Sequence, residues 1–397
     1  IADRTNLKVS FIGDSVPHWS THPIVDYVSK LRPLSTSYTP YQPERSQGTL
    51  VTHWIYQCVL STLTGFEAIN TSLYDRSAAI YEAITCAYRT NPRGGKILLA
   101  KSLFESDLKV IQTLSEETEL EFLFVPYDSK TGLLQYDWLK SLSEKELNEI
   151  SAFAFPQVNS LGLLEDVDFL SDFARSNGIR SIACIDPMLL GTGGLKPPTD
   201  FGMEGADFMV GEAQHLAIPP NLGGPGLGIF GCRHNENNKK DLRSTPGRYI
   251  GKAKDINGRD CFVMVLSTRE QHIRKEKATS NVCSNQAFLA TLAGASLLAK
   301  GENGLAESVQ KAKSIRAKVL DALDNLKGVS LAYPESCGFN ELLLKLDSPV
   351  AELQEKASTK NLQIGIDASN RISSKENQHL LKLSFSDIHD EDSVEKL

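Results

Sequence analysis

Apolar runs and polar breaks alternate through the middle of the chain. Four of the runs, each five residues long, predict strands: 96–100 (KILLA), 121–125 (EFLFV), 151–155 (SAFAF) and 181–185 (SIACI). Helical spacing of apolar residues predicts helices at 105–114 and 167–176. Since these apolar runs do not alternate with polar residues, they are typical of parallel strands buried on both faces. We therefore predict a mostly parallel α/β sheet, with further strands at 207–210 and 227–231.

The pattern changes in the last third of the chain. A polar stretch over 234–258 precedes an apolar run at 261–266 that reads as one more strand. Two long helical patterns follow, at 285–300 and 305–327. The remaining predicted strands are 329–332, 341–346, 362–366 and 380–386, with a helix at 350–357. The expected domains are an N-terminal arm (1–48), a large domain (49–300) and a small C-terminal α+β domain (301–397).

Composition narrows the class of protein. With 397 residues, 41% of them hydrophobic, the chain can build one large core and a smaller one. A formal net charge of −7 argues against nucleic acid as a partner. No apolar run approaches the roughly 20 residues that span a bilayer, and the first residues lack a signal-peptide pattern. We therefore expect a cytoplasmic protein without a membrane partner, whose seven scattered cysteines are reduced thiols, and we expect no metal site.

The stretch 207–233 combines two apolar strands with a polar switch and a glycine-rich loop. The switch is Glu212-Ala213-Gln214-His215, and the loop over 223–228 contains four glycines. Glycines let a backbone turn tightly and approach another surface closely. In many α/β enzymes such a segment carries the residue that holds a cofactor. This one contains no lysine.

Several other residues are candidates for a site at the carboxyl edge of the sheet. Asp186 follows a buried strand, where it could pair with a protonated pyridine nitrogen or serve as a turn residue. Ser72 and Asp75 are helix N-cap types, and the helix that follows them could hold a phosphate. His215 and His272 could act as acids or bases, although such a residue is more often a hydrogen-bonded structural histidine. The pattern alone leaves these alternatives open.

A family resemblance rests on five blocks that occur in the right order. They are 38–48 (YTPYQPERSQG), 70–75 (NTSLYD), 186–202 (DPMLLGTGGLKPPTDFG), 210–231 (VGEAQHLAIPPNLGGPGLGIFG) and 246–287, which begins PGRYIGKAKDINGRD. Together they resemble the glycine decarboxylase P-protein of the glycine cleavage system. They are most similar to its N-terminal half, which some bacteria make as a separate subunit 1.

The resemblance implies the fold and a division of labour between two subunits. The fold would be that of fold-type I enzymes dependent on pyridoxal 5′-phosphate (PLP), and the Schiff-base lysine would lie on a P-protein subunit 2. Gln214 stands at the matching position of this chain. Because an amide cannot form an imine, we expect PLP on the partner subunit. Ser72 and Asp186 would then belong to a vestigial cofactor pocket, or Asp186 would only stabilise the fold.

By the same resemblance, the N-terminal arm would complete the partner's active site. Tyr38, Tyr41, Gln42 and Gln47 are the candidate residues for orienting glycine or sheltering the carbanion. The implied reaction is decarboxylation of glycine, with transfer of the aminomethyl group to the lipoyl group of H-protein. One alternative is a catalytically silent structural or regulatory partner of another PLP enzyme.

Two further features bear on this interpretation. A second alternative is a free-standing PLP enzyme that uses Lys252 or Lys277.

The chain also departs from the family pattern at three positions. Arg76 stands in place of a usual glycine, Phe104 in place of a common histidine and Arg45 in place of an apolar residue. We expect the Arg76 side chain to fill or close the former phosphate site. Phe104 would keep a ring for packing but could not transfer a proton.

Overall fold

The computed structural model describes most of the chain. The described residues are 9–14, 17–35, 46–221, 223–235, 238, 241–266, 271–275, 278, 284–371 and 379–397. Five residues discussed above lie outside these ranges: Tyr38, Tyr41, Gln42, Arg45 and Lys277. The side chain of His272 also lies outside the described part.

Within these ranges, strands and helices alternate along the chain. The strands are β1 (Val9–Ser10), β2 (Ala68–Ile69), β3 (Lys96–Ala100), β4 (Glu121–Val125), β5 (Ile150–Pro156), β6 (Arg180–Ile185), β7 (Phe208–Glu212), β8 (Gly228–Cys232), β9 (Tyr249–Lys254), β10 (Asp260–Val265), β11 (Val329–Leu331), β12 (Glu341–Leu346), β13 (Leu362–Gln363), β14 (Ile366–Asp367) and β15 (His379–Ser384). The helices are α1 (Ile24–Ser29), α2 (Arg32–Ser35), α3 (Gln47–Thr64), α4 (Arg76–Thr90), α5 (Glu105–Ser115), α6 (Tyr136–Lys140), α7 (Glu144–Asn148), α8 (Val167–Ser176), α9 (Gln214–Ala217), α10 (Gln271–Arg274), α11 (Ser284–Leu323), α12 (Val350–Thr359) and α13 (Glu391–Lys396). None of these helices is long and apolar enough to cross a membrane.

A seven-stranded sheet forms the centre of the molecule, with the order β2-β8-β7-β6-β5-β3-β4. The five neighbouring strands β4, β3, β5, β6 and β7 pair in parallel. Strand β8 pairs antiparallel with both of its neighbours, β7 and β2. Strand β5, in the interior of the sheet, is buried along its whole length because helices cover both faces of the sheet. The prediction of a mostly parallel sheet is therefore confirmed.

Helix α4 begins at the carboxyl edge of this sheet. Its N-cap is Asp75, whose carboxylate accepts a 2.8 Å hydrogen bond from the backbone N–H of Ala78. The preceding helix α3 ends at Gly65, which adopts a left-handed φ of 77° that a side chain would disfavour. These two local signals bring residues 70–76 back to the end of the sheet, where Arg76 enters the first turn of α4.

A four-stranded antiparallel sheet with the order β11-β12-β15-β14 forms the centre of the C-terminal part. Residues 362–366, predicted as one strand, instead form two short strands. Only β14 joins this sheet, because β13 pairs in parallel with β1 near the N-terminus. The division into an arm, a large domain and a small domain remains our proposal.

Two predictions about the segment between the main sheet and the small sheet are confirmed. The apolar run at 261–266 was predicted as one more strand, and the structure has a strand there. This run forms β10, which pairs with β9 in a separate antiparallel hairpin and is partly exposed along its length. The predicted break between two long helices is confirmed, because α11 is kinked at Gly301, which has φ of 60° and ψ of −170°.

Candidate functional site

A narrow cleft lies at the carboxyl edge of the main sheet. It is bounded by the ends of β3, β5 and β6, by the start of α4 and by the start of β12. Its lining residues are Pro17, Arg76, Leu103, Phe104, Pro156, Val158, Cys184, Ile185, Asp186, Leu189, Asn340 and Glu341. The free volume is about 60 Å³, whereas pockets for small molecules start at roughly 300 Å³.

Asp186 lies in this cleft, as its chain position predicts, and its carboxylate has two partners. Oδ1 accepts a 2.9 Å hydrogen bond from the backbone N–H of Met188, which closes the turn after β6. The same oxygen lies 2.9 Å from Nε2 of His215. Burial lowers the pKa of His215, but the charges of Asp186 and Glu212 outweigh it, so the pKa is raised overall. The pair therefore favours an imidazolium bound to a carboxylate.

Arg76 extends across the cleft and forms a buried ion pair. Its Nε lies 2.7 Å from Oδ2 of Asp107 on α5, and both side chains are almost fully buried. The guanidinium carbon lies 4.3 Å from the centroid of the Phe104 ring, within the range of a cation–π interaction. Burial lowers the pKa of Arg76, but the carboxylates of Asp107 and Glu212 raise it overall. The guanidinium is therefore charged.

Glu212 connects the polar switch to the start of α4. Its buried carboxylate accepts hydrogen bonds from the backbone N–H groups of Arg76, Gln214 and Leu227, at 3.1, 3.0 and 2.7 Å. Burial raises its pKa, and these hydrogen bonds oppose the shift. The N–H of Arg76 belongs to the first turn of α4, which is the end of a helix that attracts anions. A side chain of the protein itself thus takes this position.

Gln214 is the first residue of the short helix α9 and is buried. Its amide Nε2 donates a 3.2 Å hydrogen bond to the carbonyl of Pro219. Ser72 is also buried, and its hydroxyl has no hydrogen-bond partner among the described residues. Asp75, not Ser72, caps α4.

The glycine-rich loop packs directly on the start of α4. A Cβ atom on Gly228 would lie 2.3 Å from the carbonyl oxygen of Asp75, and one on Gly226 would lie 2.9 Å from the Cβ of the same residue. These contacts are too short for a side chain, so glycine is required at both positions. The loop therefore serves the tight backbone passage predicted for it, and it holds the polar switch against α4.

Two residues singled out in the sequence, Gln47 and Lys252, are associated with the β9–β10 hairpin. The side-chain amide of Gln47 donates to the carbonyl of Phe262 at 2.8 Å and accepts from its N–H at 2.9 Å. Lys252 lies on β9, and its ammonium is 5.2 Å from the centroid of the Trp54 ring. Neither residue is among those that line the cleft in the described structure.

Besides Asp107, four charged residues beside the cleft escaped the sequence analysis. Lys382 on β15 is only 1% exposed and contacts Glu341 at 2.8 Å and Asp14 at 3.3 Å. Arg371 forms an ion pair with Asp14. The Lys382 ammonium is also 5.0 Å from the centroid of the Phe104 ring. The one available signal was a lysine inside the apolar run of β15, since a buried lysine needs a charged partner.

PLP, the cofactor that the resemblance implies, does not fit these residues. The amide of Gln214 cannot form an imine, and the Arg76 guanidinium lies against Phe104 in a cleft of about 60 Å³.

The cleft also contains a thiol, that of Cys184. Burial raises the pKa of this thiol, which disfavours the nucleophilic thiolate. Among the residues that the structure describes, no group of three or more His, Cys, Asp or Glu could hold a metal ion.

Comparison with known proteins covers nearly the whole chain. The family described as glycine cleavage system P-protein matches residues 1–386. A probable glycine dehydrogenase (decarboxylating) subunit 1 from Nitrosospira multiformis is 35% identical over 365 residues, which are 92% of this chain and 78% of that protein. A similar protein from Methylococcus capsulatus is 37% identical over 327 residues, or 81% of this chain and 70% of the relative.

Solved structures agree with the sequence matches. The crystal structure of a glycine decarboxylase (P-protein) of the glycine cleavage system, in inhibitor-bound form, superposes with a TM-score of 0.85 at 28% identity, covering 99% of this chain and 84% of that one. A NifS-like protein, at 15% identity and a TM-score of 0.66, shares the fold alone. The fold is that of fold-type I PLP-dependent enzymes. The chain belongs to the glycine cleavage system P-protein family.

Proposed function

We propose that this chain is the subunit of a glycine decarboxylase that does not carry PLP. It would act with a PLP-bearing subunit 2 to decarboxylate glycine and pass the aminomethyl group to the lipoyl group of H-protein. The single observation that carries the proposal is the combination of family membership with Gln214 where the Schiff-base lysine would stand. The filled cleft supports the same division of labour.

The chemistry explains why such a chain needs a partner. Loss of CO2 from glycine leaves a carbanion, and PLP supplies the ring that delocalises it. Anchoring PLP as an imine needs an amine nucleophile, which the Gln214 amide is not. In this proposal the reaction takes place on subunit 2, and this chain provides the second half of the assembly.

The N-terminal arm is our proposed contribution to the partner's active site. Tyr38, Tyr41 and Gln42 would orient glycine or exclude water there. The amide of Gln47 is already bound to both polar backbone atoms of Phe262. We therefore propose that Gln47 positions the base of the arm at the start of α3.

Reconstitution tests the function directly. The purified chain is mixed with a subunit 2 and a lipoylated H-protein, and exchange of labelled CO2 with glycine is measured. The control omits this chain. We expect exchange only in the complete mixture, because each subunit supplies part of the active assembly. Exchange at the same rate without this chain would contradict the proposal.

Two further outcomes separate the alternatives. A stable complex with subunit 2 that adds nothing to exchange would indicate a silent structural or regulatory partner. Borohydride treatment of the isolated chain with PLP, followed by peptide mapping, tests a free-standing enzyme. PLP trapped stoichiometrically on Lys252 or Lys277 would overturn our assignment of the cofactor to subunit 2.

A further inference from the structure

The cleft of this chain is filled by its own charged side chains. The guanidinium of Arg76 lies on the Phe104 ring, the carboxylate of Glu212 accepts the Arg76 backbone N–H, and the imidazole of His215 contacts Asp186. We infer that the site is self-occupied: Arg76 takes the place of a planar ring on Phe104, and Glu212 takes the place of a phosphate at the start of α4. The cofactor is therefore excluded by these side chains and not only by the missing lysine.

The position of Arg76 carries the first part of this inference. Its guanidinium carbon is 4.3 Å from the Phe104 ring centroid, and Asp107 holds Nε at 2.7 Å. A flat ligand stacked on this face of Phe104 would need the same space. Only 11% of the Arg76 side chain is exposed, so the guanidinium is itself buried where it contacts Phe104 and Asp107.

Glu212 carries the second part. Its Oε2 accepts the backbone N–H of Arg76 at 3.1 Å, and its Oε1 accepts those of Gln214 and Leu227. A helix N-terminus binds phosphate through free N–H groups and a favourable dipole. Here a carboxylate already accepts one of these N–H groups, and its negative charge would repel a phosphate dianion.

The two side chains also depend on each other. The Arg76 guanidinium lies close to two buried carboxylates, those of Asp107 and Glu212, and its positive charge stabilises both. His215 engages Asp186, the carboxylate that could otherwise pair with a pyridine nitrogen. The inference uses the family's cofactor but does not depend on assembly with a partner, so the full chain can be tested alone.

Binding of pyridoxine 5′-phosphate to the full chain tests the inference. This probe has the ring and phosphate of PLP but no aldehyde, so surface lysines cannot capture it. Equilibrium dialysis compares the wild type with R76G/E212Q. This double variant removes the Arg76 side chain and replaces the Glu212 carboxylate with a neutral amide whose oxygen can still accept a hydrogen bond. The matched control is R175G/E204Q, which makes the same changes in an exposed ion pair.

We expect no specific binding to the wild type or to the control, and binding at least about tenfold tighter to R76G/E212Q, equivalent to about 1.4 kcal/mol. Adding F104L, which keeps an apolar side chain but removes the ring face, should weaken the gained binding. The inference is overturned if wild type binds the probe as tightly as R76G/E212Q does. It is also overturned if the folded double variant binds no better than the control.

A second measurement covers the case in which the double variant does not fold. R76G alone is titrated with methylguanidinium, and its thermal unfolding midpoint is followed. If a guanidinium occupies a discrete site between Phe104 and Asp107, methylguanidinium should raise the midpoint of R76G above the effect of equimolar methylammonium. The wild type should show no such difference. Equal effects of the two cations on R76G would contradict the inference.

The outcome is separable from that of the proposed function. Binding of pyridoxine 5′-phosphate to the wild-type chain would contradict the inference of a self-occupied site and would not change the reconstitution result. Absence of glycine-dependent exchange in the complete mixture would contradict the proposed function and would not change the binding result.

Discussion

Buried charged side chains surround Arg76 beside the cleft. Asp107 and Glu212 are 2% and 6% exposed, and each binds Arg76. Arg76 was recognisable from the sequence, because it replaces a glycine that the family usually has. Asp107 was not, since an acidic residue in the first turn of a helix is a common exposed feature. Its importance arises from its contact with Arg76 across the cleft.

The His215–Asp186 pair should make stability depend on pH. The pKa of His215 is raised overall in the folded protein, so the protonated form is bound more tightly there than in the unfolded chain. Its stabilising contribution is complete below the unfolded value of about 6.5 and is lost as pH rises through the folded pKa. We expect H215Q to lose most stability, relative to wild type, below pH 6.5.

Urea unfolding of both proteins at several pH values measures this difference. We expect the difference in the free energy of unfolding between wild type and H215Q to become smaller as pH increases above 6.5. In a D186N background the same substitution should have a weaker pH dependence, because the charge that holds the imidazolium is gone. A gap that does not change with pH would show that His215 does not titrate with folding.

Removal of Arg76 should destabilise the fold through its buried partner. R76A leaves the Asp107 carboxylate with Ser77 as a neutral partner, so we expect a loss of about 3 kcal/mol in the free energy of unfolding. The double variant R76A/D107A should lose less than the sum of the two single variants. Urea unfolding with unchanged m-values measures this coupling.

An exposed ion pair provides the comparison. R175A/E204A removes a solvent-exposed arginine–carboxylate pair and should cost less than about 1 kcal/mol. If R76A costs no more than this control, the buried pair does not contribute to stability in the way that its geometry indicates.

Secondary structure followed the sequence pattern most closely in the main sheet. The uniformly apolar strands β3 and β5 were predictable because burial on both faces leaves no polar positions. The apolar run that became β10 looks similar in sequence. It pairs with β9 outside the main sheet, and β9 lies in a stretch that was described from the sequence only as polar. An apolar run indicates a strand, but its pairing partner depends on which backbone lies beside it.

The β9–β10 hairpin is tied to α3 by Gln47. Its amide donates to and accepts from the backbone of Phe262, as a neighbouring strand would. We expect Q47A to cost about 1 kcal/mol locally, which corresponds to roughly fivefold faster amide exchange at Phe262. Global stability should change little, because the hairpin lies outside the main sheet.

Hydrogen exchange resolved at individual amides measures this effect. The control is K254A, which removes a well-exposed pair with Asp260 on the same hairpin. It should leave exchange at Phe262 unchanged. Equal exchange rates in Q47A and wild type would show that the two hydrogen bonds do not hold the hairpin.

The N-terminal residues connect the two larger sheets of the chain, which have seven and four strands. β1 pairs with β13 beside the small sheet, and Asp14 pairs with Arg371 and Lys382 next to the cleft. α11 runs from the large core into the small one. We propose that this connected body presents the arm to the partner subunit, with α3 as its rigid base.

Substitution in the arm tests this arrangement. Y41F should lower glycine-dependent CO2 exchange in the reconstituted mixture by roughly tenfold, the expected effect of losing one hydrogen bond worth about 1.4 kcal/mol. Affinity for subunit 2 should be unchanged, since only a hydroxyl is removed. The control is Y27F on α1, whose ring is 64% exposed. Unchanged exchange in Y41F would exclude the proposed role of this hydroxyl.

The sequence by itself determined the α/β class, the family and the absence of an amine at position 214, because apolar periodicity and residue chemistry are properties of the chain alone. Only the tertiary structure decided that Arg76 meets Asp107, 31 residues away, and that its N–H meets Glu212, 136 residues away. Such contacts form when strand packing brings distant segments together, and their strength comes from burial away from water. The sequence shows that the amine is missing at position 214, and the folded chain shows that the charged side chain of Arg76 lies in the cleft.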